Sequence, residues 1–188
     1  MQKEALVKAV ADIYTAWEAV LAALGAERLE QPGANGDWRV RDVLAHCNGW
    51  DRWQIVQLRC AFSGETPTDE ALTGGIAYPQ NDDLHPDAMN AMFIAGTRDL
   101  PTEEILRHWR EVSAMRAEWV AAASQEQLDA MIGADWSGGS PRIMRLVSEV
   151  PDASHPLPAW ENIFEQVKHQ DEHLQIVRAW IARQGKAA

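Results

Sequence analysis

Glu165-Gln166-Val167-Lys168-His169-Gln170-Asp171-Glu172-His173-Leu174-Gln175-Ile176 is the stretch whose reading decides the fold of this 188-residue chain. It holds no Gly or Pro, and apolar residues recur at three-four spacing from Trp160 to Ile181, which predicts a helix. On such a helix His169 and His173 lie about 40° apart, one turn above the other. Two imidazoles so placed can reach one small cation from the same side. Two solvated histidines on a charged helix give the same pattern. A third histidine, His46, stands on another predicted helix far away in sequence.

Working outward, three more long helices follow from apolar spacing. Residues 3–24 carry Leu6, Val10, Ile13, Trp17, Val20 and Leu24, with Gly25 as a natural residue to end the helix. A second helix runs from about Arg39 to Phe62 through Val40, Val43, Leu44, Cys47, Trp50, Ile55 and Leu58, and Ser63-Gly64 ends it. A third starts at Pro101-Thr102-Glu103-Glu104, acidic where the helix dipole favours acid, and runs to about Ala123 through Ile105, Trp109, Val112 and Trp119. The last covers about Pro158 to Gln184. Between them lie a loop at 30–37 and a long Gly/Pro-rich connection from Gly64 to Pro86. That connection is expected to cover one mouth of the fold and to be more mobile than the helices. A short helical stretch at Asp87–Thr97 and a capping box at Ser124-Gln125-Glu126-Gln127 complete the helical signals. Residues 133–158 read as irregular, with a short helix at Ile143–Val150, and the chain offers no convincing strand.

The expected fold is therefore all-α: residues 1–188 as a single domain, a four-helix bundle with long connections. A charged fraction of 24% and a formal charge of −11 suit a soluble folded chain and exclude a nucleic-acid surface, which must be basic. No apolar run reads as a membrane span, and the first residues lack a signal-peptide pattern. Cys47 and Cys60 fall about 20 Å apart on one helix and cannot pair. These features read as cytoplasmic.

The candidate chemistry sits on boundary positions. His46 shares its helix face with Val43, Trp50 and Trp53, where a lone histidine is more often a satisfied core residue than a ligand. His169 and His173 flank the stripe Ile163, Val167, Leu174, Val177, Ile181, as the wall of a groove would. Three neutral imidazoles with open positions make a plausible site for Zn or another divalent ion, although periodicity does not bring the two helices together. Asp42, Glu165 and Glu172 are candidates to orient the imidazoles from behind, and helix-end or solvated acids are the ordinary reading of each. His85 and His155 read as loop residues, and His108 has no nameable partner.

Two segments supply the missing link. Asp37-Trp38-Arg39-Val40-Arg41-Asp42-Val43-Leu44-Ala45-His46-Cys47-Asn48-Gly49-Trp50 resembles the start of helix two in the DinB/YfiT-like superfamily, and Lys168-His169-Gln170-Asp171-Glu172-His173 resembles its second metal motif. The resemblance implies a bundle, often a homodimer, with a divalent metal ion, Zn or Ni foremost, on His46, His169 and His173. It implies a metal-dependent enzyme acting on a small electrophilic substrate, by transfer of a low-molecular-weight thiol or by hydrolysis. Relatives of that kind include bacillithiol transferases and mycothiol-dependent maleylpyruvate isomerases. The alternative is a non-catalytic metal-binding or small-molecule-sequestering bundle, like the ClbS/DfsB resistance branch, whose members lack the metal histidines. One departure is visible: Arg39 stands where the family has Ser or Thr, so the capping box with Asp42 is expected to be lost and Asp37 to cap instead.

Overall fold

The structure is a computed structural model and describes residues 1–79, 85–135, 143–149 and 154–184. Helices take up well over half of the chain: α1 (Lys3–Leu29), α2 (Val40–Ser63), α3 (Asp69–Thr73), α4 (Pro86–Thr97), α5 (Thr102–Ala122), α6 (Gln125–Asp129) and α7 (Ala159–Gln184). The four long ones form the bundle. α1 and α2 lie on opposite sides, each packed against both α5 and α7, while α3 and α4 cover the outer side of α2.

The apolar stripes face the common core as the spacing requires. Leu6, Val10, Ile13, Trp17, Leu21 and Leu24 of α1 meet Ile105, Trp109 and Val112 of α5 and Ile163, Leu174 and Val177 of α7, all buried. Val20 is only half-buried, and Leu21 takes the inward place. Gly25 breaks α1 where expected: its backbone (φ 73°, ψ 163°) is a conformation that side chains rarely adopt, and one further turn follows it. Gly49 lies inside α2 for a different reason. A Cβ there would stand 2.3 Å from Cγ of Phe93, so its absence lets α4 close onto α2. Although α1 is long and apolar enough by composition to cross a membrane, contrary to the sequence reading, its apolar face is built into this core.

Three other expectations are corrected. A three-stranded antiparallel sheet, order β2-β1-β3, is formed by β1 (Met131–Asp135), β2 (Ile143–Leu146) and β3 (Ser154–Pro158). β2 lies where a short helix was expected, and β3 holds His155, whose φ of 51° accompanies a register shift against β1. β3 escaped recognition because Pro156 and Pro158 speak against a strand, yet an edge strand tolerates them. The helix α2 begins at Arg39 as N-cap rather than at Asp37. Half of the capping box survives: Asp42 accepts the Arg39 backbone N–H at 2.9 Å and is clasped by the Arg39 fork at 2.9 Å on both oxygens. The Gly64–Pro86 connection contains α3, and its residues 80–84 lie outside the described residues, as does Gly138-Gly139-Ser140-Pro141.

Candidate metal centre

His46 sits in the second turn of α2 and points across the bundle at the middle of α7. There His169 and His173 present their rings from successive turns. The three ring centroids stand 4.9, 4.7 and 4.7 Å apart, and His46 Nε2 lies 3.0 Å from His169 Nε2. One nitrogen from each of the three lies within 4.8 Å of the others. His46 is 4% exposed and the other two are half-buried, with the Trp38 ring 5.3 Å from that of His46.

Burial drives the electrostatics of the trio. Desolvation, and then the charges that the neighbouring imidazoles would carry, push His46 down to about 3. Burial followed by His169 pushes His173 to about 4. His169 is also lowered by burial, with the carboxylates of Asp51 and Glu172 acting the other way. All three imidazoles are therefore neutral at pH 7, and each neutral ring carries one nitrogen lone pair.

These residues fit a divalent cation. Nitrogens bound to Zn at about 2.0–2.1 Å in a tetrahedral array stand roughly 3.3 Å apart, against 3.0 Å between His46 Nε2 and His169 Nε2 and no more than 4.8 Å for the other pairs. The Nδ1 atoms of all three histidines are buried without hydrogen-bond partners among the described residues. None of the proposed orienting acids supplies one. Asp42 is occupied by Arg39, Glu165 is paired with Lys168 at 2.6 Å on the surface, and Glu172 is exposed.

Sequence reasoning missed the polar core behind this centre. Asp51, 1% exposed, is paired with the fully buried Arg116 at 2.9 Å and accepts from Gln170 Nε2 at 2.8 Å and from the Tyr14 hydroxyl at 3.2 Å. Arg116 also reaches Gln54 Oε1 and the Asp51 carbonyl, each at 3.2 Å. Gln170, between the two ligand candidates of α7, is held again through its carbonyl, which accepts from Trp17 Nε1 at 3.2 Å. The network thus ties α1, α2, α5 and α7 together and fixes the rotation of α7 that aims His169 and His173 at His46. A signal was present: Asp51, Arg116 and Gln170 each occupy an inward position of an otherwise apolar stripe.

Elsewhere, His108 is buried on α5 between Glu104 (3.6 Å) and Glu111 (3.8 Å), so partners exist that the sequence did not reveal. His85 caps α4 by accepting the Asp87 N–H. Cys47 is a fully buried free thiol and Cys60 a second free one.

Solved structures share this architecture. The one titled Sibling Lethal Factor Precursor - DfsB matches 98% of this chain and 97% of its own with a TM-score of 0.69 at 17% identity. A Streptococcus pneumoniae protein gives a TM-score of 0.66 at 12% identity over 97% and 91% of the two chains. A conserved Enterococcus faecalis protein gives 0.60 at 12% identity over 95% of each. At such identities the likeness establishes the fold alone. No curated protein matches the chain. The model of one family matches residues 10–151, a span that includes His46 and ends before His169. With three-quarters of its length so matched, and the DinB-like bundle around it, the chain belongs to the mycothiol maleylpyruvate isomerase N-terminal domain family.

Proposed function

We propose that the protein is a metal-dependent enzyme that joins a low-molecular-weight thiol to, or hydrolyses, a small electrophilic substrate at the centre formed by His46, His169 and His173. The observation that carries this reading is the convergence of three neutral imidazoles, drawn from two helices, onto one point with their lone pairs unprotonated. A bound Zn or Ni ion would supply Lewis acidity and would favour a thiolate or hydroxide at neutral pH. The chain's own residues do the rest. The two helices hold the nitrogens, and the Trp38 ring packs beside that of His46. Trp50, its indole N–H bound to Asn90 Oδ1 at 2.8 Å, ties α4 beside the centre and adds an aromatic wall with Trp53 and Phe93. The family description names mycothiol, which supports a thiol cosubstrate. A homodimer in the cytoplasm is part of the same reading.

The test begins with metal analysis of untagged protein, followed by calorimetric titration of the metal-free protein with Zn and Ni. The expected result is one tight site per chain, with affinity lowered by at least tenfold in each of His46→Ala, His169→Ala and His173→Ala. Thiol consumption with small electrophiles then follows the metal. Metal binding unchanged by all three substitutions would sink the proposal. A second reading, a non-catalytic bundle that sequesters a small molecule, rests on the sequence resemblance to the ClbS/DfsB branch. That protein would consume no thiol and would keep its function after all three histidines are replaced.

A further inference from the structure

A second place in the molecule is built to hold a charge. Arg52 follows His46 by six residues on α2, which puts it about 120° around the helix and about 9 Å along it, away from the histidines. Its residue exposure is 3%, and its Nε and Nη2 atoms are buried with no hydrogen-bond partner among the described residues. Nη2 stands 3.1 Å from Glu111 Oε1, an ion pair without hydrogen-bond alignment. Gly74, at φ 63°, makes room for the guanidinium: a Cβ there would lie 2.5 Å from Arg52 Cζ. The side chain lines a cavity of about 220 Å³ together with Val56, Arg59, Cys60, Glu65, Ala71 and Met115.

Leaving charged N–H groups buried and unbonded is costly, more so than for neutral donors. One further buried polar atom without a hydrogen-bond partner among the described residues, the Tyr78 hydroxyl, belongs to a group that feels the charge of Arg52. Burial holds the Tyr78 phenol up at about 12, so it remains an O–H donor. We propose that this cavity binds a small monocarboxylic acid, its carboxylate on Arg52 and its short apolar body against Val56, Ala71 and Met115. The planar fork of an arginine matches a carboxylate. The cavity is smaller than the roughly 300–1,000 Å³ of drug-sized sites, which limits the ligand to a few carbons. Arg59 and Glu65 offset each other on the wall, and Glu111 lies beside the guanidinium, so no cation is left over for a second negative charge, which selects a monoanion over phosphate or a dicarboxylate.

Sodium butyrate is the probe, added to the full chain at constant ionic strength, with inorganic phosphate, succinate and butylamine as comparisons. Two readouts apply: backbone amide shifts at Ala71 and Gly74, and the alkylation rate of Cys60, the thiol left accessible because Cys47 is fully buried. Butyrate is expected to saturate the shifts and to slow alkylation by about fivefold, while the comparisons do neither. Arg52→Lys, which keeps the charge without the fork, is expected to weaken binding by about tenfold, and Arg52→Met to abolish it. Met115→Trp, which fills the cavity and keeps Arg52, blocks binding even if Arg52→Met fails to fold. The triple variant His46→Ala, His169→Ala, His173→Ala binds butyrate as the wild type does. The proposal is overturned if the shifts do not saturate, if phosphate or succinate acts equally well, if Met115→Trp binds unchanged, or if the triple-histidine variant loses binding.

Discussion

Replacing Asp51 by Ala removes the anion on which four helices converge. Arg116 is then left at 0% exposure without its partner at 2.9 Å, and Gln170 and the Tyr14 hydroxyl each lose an acceptor. Breaking a buried pair by deleting one partner costs about 3–5 kcal/mol. The orphaned amide and phenol add to this, about 1 kcal/mol or more each when left unsatisfied, without full additivity. Against a typical total of about 5–15 kcal/mol, the expected loss for Asp51→Ala is about 4 kcal/mol. At a urea slope of about 2 kcal/mol/M that lowers the midpoint by roughly 2 M. Exchanging both partners for apolar residues, Asp51→Leu with Arg116→Met, is expected to recover most of the loss, because no charge is left stranded. A double-mutant cycle by urea unfolding measures the coupling, expected to exceed about 2 kcal/mol. The same variants report on the metal centre, since Gln170 lies between His169 and His173: Asp51→Ala should weaken Zn binding while helical circular dichroism at low temperature stays unchanged. Additive effects of the two substitutions, or a loss below about 1 kcal/mol for Asp51→Ala, would show that the network does not brace the bundle.

Acid should destabilise the metal-free protein through the histidines. Their folded pKa values lie below the unfolded value near 6.5, so below pH 6.5 the unfolded chain takes up protons that the folded one refuses, and stability falls with pH towards the folded values of about 3 for His46 and about 4 for His173. From pH 6.5 to 5 His46 alone contributes a loss of about 2 kcal/mol, read as a steeper fall of the urea midpoint than in His46→Gln; equal falls in both would remove the claim. Gly49→Ala puts a Cβ 2.3 Å from the Phe93 ring and should cost about 1–3 kcal/mol in thermal or urea unfolding, recovered in part by Phe93→Ala, which makes room. Gly25→Ala forces a side chain into φ 73°, ψ 163° and should cost about 1–3 kcal/mol; an unchanged midpoint would mean that the break in α1 relaxes freely.

What the sequence alone determined is local. The long helices, the break at Gly25, the Ser124 capping box and the pairing of His169 with His173 on one side of α7 all follow from periodicity and end chemistry within single segments. His46 was joined to that pair only by resemblance to a known family, since helical period says where a side chain points around its own axis and nothing about a neighbour's rotation. Tertiary structure decided that rotation, through the Asp51–Arg116–Gln170 network and the Gly49–Phe93 approach. It also decided the sheet: β3 is short and contains two prolines, so only its place at the edge beside β1 makes it a strand. Arg52 shows the limit most clearly, because a charged residue on a helix reads as solvated until α3 and α5 close over it. Desolvation depends on how many other segments surround a group. That quantity exists only once the chain has packed.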